Sequence, residues 1–132
     1  MELNDYLKER NIPTDSLEAN SIREGFVFAQ KLFGGIPKAF NVGGQPIDVK
    51  LVERCDDNCL GCCRLAKGCI EIAAKYDRDE QVSEGVKLNT FYHELTHAIL
   101  YTMGETDLNN NEKFVCVFSS LLTEALTTAK RF

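Results

Sequence analysis

Three things are missing from this sequence, and each narrows what it can do. There is no basic surplus: 15 Lys and Arg stand against 20 Asp and Glu, a formal net charge of −5. That argues against a nucleic-acid backbone as main partner, since binding one needs cationic side chains that displace condensed counterions. There is no apolar run of membrane-spanning length, so no membrane role is expected. There is no internal repeat, low-complexity tract or linker-like stretch. The opening Met1-Glu2-Leu3-Asn4-Asp5 is acidic and lacks the basic-then-apolar shape of a signal peptide, so a cytoplasmic protein is the expectation. What remains is 44% hydrophobic and 27% charged in 132 residues, the composition of one soluble globular domain with room for a core.

Histidine is nearly absent as well. The chain has two, and both fall in Phe91-Tyr92-His93-Glu94-Leu95-Thr96-His97. On a helix, positions i and i+4 stack on one face, so His93 and His97 can hold one zinc ion between them. Glu94, beside the first of them, can serve as general base toward a water at that ion. At about 100° per residue from His93, His97 falls near 40°, Tyr101 near 80° and Leu100 near −20°. Leu88, Phe91, Leu95, Ile99 and Met103 gather on the far side, between about 160° and 280°. The expectation is an apolar face toward a core and an opposite face carrying both imidazoles.

Cysteine is plentiful, with five crowded together as Cys55, Cys59, Cys62, Cys63 and Cys69, and Cys116 apart. A reducing compartment argues against a disulfide framework. Cys55-x3-Cys59-x2-Cys62 invites a second, structural metal site. Cys62 and Cys63 are adjacent and point to opposite faces of a strand, so they cannot both join one simple site. The preferred reading is a hairpin filled by small, buried cysteines.

Along the chain, Glu2 to Arg10 reads as a helix broken at Asn11-Ile12-Pro13. A second helix is capped by Thr14 or Asp15, runs through Ile22, Phe26, Ala29 and Phe33, and stops at Gly34-Gly35. Ala39 to Val42 and Pro46 to Glu53 flank Gly43-Gly44, a hairpin signal, with Ile47, Val49 and Leu51 on one face. Cys59 to Leu65 and Cys69 to Ala73 form a second hairpin around Ala66-Lys67-Gly68. Tyr76 to Val82 reads as a loop. The motif helix spans about Glu84 to Met103, ended by Gly104 in the left-handed region. A last helix starts near Asn109-Asn110-Asn111, with Phe114, Val117, Phe118, Leu121, Leu122 and Ala125 as its core stripe. Helices and strands segregate, which is an α+β arrangement: residues 1–34 a helical extension and 36–132 the core of a single domain.

A catalytic zinc takes three protein ligands and keeps one position for water. With no third histidine, the candidates are Glu105, Asp107 and Glu112. Glu112 has a competing role, because Asn109-x-x-Glu112 is also a helix capping box. These readings stay open on the residues alone. The segments Thr90-Phe91-Tyr92-His93-Glu94-Leu95-Thr96-His97-Ala98-Ile99-Leu100 and Asn111-Glu112-Lys113-Phe114-Val115 carry a resemblance, joined by Ile36-Pro37-Lys38-Ala39-Phe40 and Val42-Gly43-Gly44 upstream. From about Ile36 onward the chain resembles the short gluzincin-like metallopeptidases of phages and prophages, and more loosely the ImmA/IrrE and SprT-like minimal zincins. The resemblance implies zinc held by His93, His97 and Glu112, Glu94 as base, and a small antiparallel sheet against the metal helix. It implies a peptidase acting on an intracellular protein. Tyr101, the one tyrosine on the histidine face, is the first candidate for an oxyanion donor, ahead of Tyr92 and Tyr76. The alternatives are a non-catalytic zinc module that docks a partner and a zinc amidase. An intact Glu94 favours catalysis, whereas a fourth protein ligand such as a cysteine would mark a structural site.

Overall fold

A computed structural model describes residues 8, 10, 11, 13, 16, 35–130 and 132. The chain divides into two compact units, residues 1–35 and 36–132. In the first, the Asn11 amide donates to the Lys8 carbonyl at 3.1 Å, and Asn11 takes a φ of 52°. The Ser16 amide and hydroxyl both donate to the Pro13 carbonyl, at 3.1 and 2.7 Å. Two successive turns therefore stand where the sequence places a helix break. Beyond these residues, the two helices expected before Gly34 lie outside the described ones.

The second unit is a small α+β domain. Its elements are β1 (Ala39–Val42), β2 (Gln45–Val52), β3 (Gly61–Arg64), β4 (Cys69–Ala73), β5 (Lys75–Tyr76), β6 (Glu80–Gln81), α1 (Glu84–Met103), α2 (Thr106–Asn109) and α3 (Glu112–Thr128). The first four strands form one sheet in the order β1-β2-β4-β3. Gly43 and Gly44, at φ of 57° and 79°, make the β1–β2 turn, which needs two left-handed residues. The β3–β4 hairpin closes through Leu65–Lys67 and a left-handed Gly68, as its sequence suggests. The expected all-antiparallel sheet is corrected at its centre, where β2 and β4 run parallel. The reason is the order: after β2 the chain passes to the far edge, lays down β3, and returns as β4 between β3 and β2. The stretch expected as a loop after Tyr76 contains a two-residue ladder between β5 and β6.

The core is Ile47, Ile70, Ile72, Phe91 and Ala98, with Phe40, Val49, Cys63 and Leu95 packed against it. Leu51, expected beside Ile47 and Val49, is 64% exposed although it pairs with the buried Ile72, since the register of β2 with β1 stops at Asp48. Ser83 caps α1, its hydroxyl accepting from the Val86 amide at 3.2 Å. Gly104, at φ 75°, ends it as expected.

The face assignment for α1 needs correction. Its buried residues are Thr90, Phe91, Glu94, Thr96, Ala98 and Leu100, while Ile99 and Met103 are exposed. The helix is covered twice, by the sheet on one side and by α3 on the side of the histidines. The core stripe of α3 is corrected too. Val115 and Ser119 are buried, whereas Val117, Phe118 and Leu121 are exposed. Val115 and Ser119 lie at i+3 and i+7 from Glu112, so the packed face of α3 is the one that turns Glu112 toward α1.

Candidate functional site

The i, i+4 spacing on α1 brings the two imidazoles together, with ring centroids 5.0 Å apart and planes at 69°. Both present Nε2 to the same carboxylate. His97 Nε2 lies 3.1 Å from Glu112 Oε1, and His93 Nε2 lies 3.5 Å from Glu112 Oε2. Glu112 arrives from the first position of α3, across the short α2.

The capping-box role drawn for Glu112 does not hold. Asn111 is the cap, its side-chain oxygen accepting from the Phe114 amide at 3.1 Å. Asn109 does something else: its Oδ1 lies 2.6 Å from Nδ1 of His97. With Asn109 as acceptor, the imidazole proton sits on Nδ1 and the Nε2 lone pair faces Glu112. Two nitrogens and a carboxylate that converge in this way have the donor chemistry of a zinc site. His93 is held toward its neutral form, first by burial and then by the nearby His97, which keeps its own lone pair available.

Cys116 was not anticipated. It follows Glu112 by one turn, and its Sγ lies 3.9 Å from Nδ1 of His93. Among the described residues, His93, Glu112 and Cys116 are the one group of three whose donor atoms all lie within 4.8 Å of each other. His97 is not in that group; it meets Glu112 through the other carboxylate oxygen. The i, i+4 spacing from Glu112 was the available signal for Cys116. Nothing in Asn109-Asn110-Asn111 singled out Asn109. Glu105 and Asp107 are exposed in and just before α2, and neither joins a donor group.

Glu94 is 7% exposed, on the flank of α1 that meets the sheet. Burial raises its carboxyl to about 7, an effect that Glu112 reinforces and His97 opposes. Gly61 on β3 makes this approach feasible. A Cβ there would stand 2.5 Å from Thr90 Cγ2 and 3.3 Å from Glu94 Cγ.

Two clefts meet along this line, sharing Cys59, Gly61, His93 and Glu94. The first, of about 430 Å³, extends past Leu60, Val86 and Cys116. The second, of about 630 Å³, extends past His97, Glu112 and Tyr101. Both are of the size that takes a small ligand or a few side chains. Strand β3 is an edge of the sheet and contributes residues to both clefts. Tyr101 is 65% exposed at the mouth of the second cleft. Tyr92 packs on Phe91 instead, and Tyr76 lies on the β5–β6 ladder.

The cysteines split by environment. Cys55 and Cys69 are buried, Cys63 packs on the core, and Cys59 is exposed. Cys62 faces Glu71 across the β3–β4 pair, with Sγ 3.9 Å from Oε2. Burial pushes the Cys55 thiol up to about 11 and the Cys63 thiol to about 12. All six cysteines are free. Among the described residues no helix is long and apolar enough to cross a membrane. No protein-family model, no curated protein and no solved structure matches this chain.

Proposed function

We propose that this chain is a zinc-dependent peptidase of minimal-zincin type, acting on an intracellular protein, with His93, His97 and Glu112 as metal ligands and Glu94 as general base. The observation that carries the reading is the convergence of both Nε2 atoms on the Glu112 carboxylate, with a buried carboxyl one residue from the first histidine. Zinc bound at this set supplies a Lewis acid that polarises a carbonyl and lowers the pKa of water. Glu94 takes the proton of the attacking water and delivers it to the departing amine. Its near-neutral carboxyl in the metal-free protein suits a group that must both accept and donate. A divalent cation beside it favours the ionised, basic form.

The remaining residues serve position. Asn109 holds the His97 ring, and Gly61 lets β3 run against Glu94. Among the described residues β3 is an edge strand, and its edge offers backbone donors and acceptors to an extended peptide, in the manner of strand addition. Tyr101 is the hydroxyl at hand to stabilise a developing oxyanion. The test is a pair of measurements on the parent and Glu94→Gln proteins. Both should carry one zinc per chain, and only the parent should cleave a library of unstructured peptides. Equal cleavage by both proteins would remove Glu94 from the mechanism, and a parent without zinc would remove the reading.

A further inference from the structure

Helix α3 carries a thiol where three ligands would already suffice. Cys116 stands at i+4 from Glu112, the spacing that stacks two side chains on one helix face. Buried Val115 and Ser119 set the rotation of α3, and Cys116 borders the cleft that reaches His93 and Glu94. Its Sγ lies 3.9 Å from Nδ1 of His93, and the donor atoms of His93, Glu112 and Cys116 fall within 4.8 Å of one another. Ligands held at roughly 2.0–2.3 Å around a tetrahedral zinc stand about 3.3–3.8 Å apart. The 3.5 Å between Nε2 of His93 and Glu112 is at that spacing; the 3.9 Å contact of Cys116 is to the other ring nitrogen, Nδ1, so the exposed sulfur has to turn toward Nε2 to join.

We propose that the Cys116 thiolate is a fourth protein donor to this centre, closing it until the sulfur is displaced. The inference rests on the zinc reading above. The sulfur joins as thiolate, and its proton goes to solvent. Three protein ligands leave a position for water; a fourth fills it. The centre is then closed at rest, and an arriving water or substrate that displaces the exposed thiol opens it, so the zinc-loaded parent still turns over. This makes one residue the difference between a resting site and a working one.

The experiment alkylates the full chain with iodoacetamide, with and without one equivalent of Zn²⁺, and follows each cysteine by mass spectrometry. Cys59, which is also exposed but lies outside the donor group, is the internal reference. Zinc should slow alkylation of Cys116 about tenfold or more and leave Cys59 unchanged, because a metal-held thiolate is withdrawn from attack. In parallel, Co²⁺ in place of zinc should give a sulfur-to-cobalt charge-transfer band that Cys116→Ala loses while still binding one cobalt. The alkylation arm needs no variant. One bound ion with equal Cys116 rates in both forms overturns the thiol assignment and leaves the His93, His97 and Glu112 centre standing. A chain that binds no ion overturns both.

Discussion

Asn109→Ala isolates one hydrogen bond at the centre. In the folded chain Asn109 Oδ1 meets Nδ1 of His97 at 2.6 Å, and Asn109 caps no helix, since Asn111 does that. Removing the acceptor frees the imidazole to turn and to move its proton to Nε2, the atom that faces Glu112. Loss of a partner that orients a metal-binding histidine costs about 10- to 100-fold in metal affinity. That is about 1.4–2.7 kcal/mol of binding. The fold should feel less, about 0.5–1.5 kcal/mol for a hydrogen bond whose surroundings are open to water. Competition with a chromophoric chelator gives the zinc affinity, and urea unfolding of the metal-free protein gives the stability. Asn109→Asp keeps an acceptor and should bind zinc at least as well as the parent. Asn111→Ala is the contrast: loss of the cap should cost about 0.5–2 kcal/mol of stability and weaken zinc binding far less than Asn109→Ala. If Asn109→Ala binds zinc as the parent does, His97 is not held through Nδ1 and its assignment as an oriented ligand fails.

Other outcomes follow from the same geometry. Glu112→Gln should lose most zinc affinity with little change in metal-free stability, because the side chain is 65% exposed and no longer has a capping role to lose; unchanged affinity in the chelator assay would return the search to other carboxylates. Gly61→Ala should destabilise by about 1–3 kcal/mol, the range for overpacking, and Thr90→Ser in the same chain should restore part of it by removing the methyl at 2.5 Å; thermal unfolding of both variants checks this, and an unaffected Gly61→Ala would mean β3 and α1 are not so closely packed. Cys55 and Cys63, with thiols raised to about 11 and 12 by burial, should resist alkylation at pH 8 and react only as the solution becomes strongly alkaline, while Cys59 reacts throughout; mass spectrometry across a pH series would show equal rates if burial did not hold them protonated. Cys55→Ser with Cys59→Ser should leave bound zinc at one equivalent, and loss of a second ion would establish a cysteine site.

The parts of this chain legible in one dimension are those governed by local spacing. His93 and His97 meet because four residues make about one turn. Gly43-Gly44 and Gly104 take the left-handed conformations their positions require. What local spacing cannot carry is the order in which elements return. The parallel pairing of β2 with β4 depends on where the chain goes between Val52 and Gly61, and no alternation of residues encodes that. The same limit misplaced the faces of α1 and α3. Phe118 and Leu121 form a regular apolar stripe, yet α3 packs through Val115 and Ser119, because what it meets is another helix rather than the sheet. Cys116 went unread for a related reason: its i+4 spacing from Glu112 gains meaning only once the neighbouring helix brings His93 beside it.

The ligands proposed for zinc come from two helices that pack along one seam. From α3, Val115 and Ser119 are buried and Phe114 and Leu122 half-buried, while Val117, Phe118 and Leu121 are exposed. On the proposed reading, an ion gripped by His93 and His97 on one side and Glu112 on the other would be a clasp across that seam, and its affinity would be lent to the docking of α3. At a free metal concentration one hundred times the dissociation constant, that loan is about 2.7 kcal/mol. Metal scarcity would thus be felt first as a loosened C-terminal helix, with amides of α3 exchanging faster while those of the sheet stay protected. On the proposed zinc reading, such a chain would report on its metal supply through its shape.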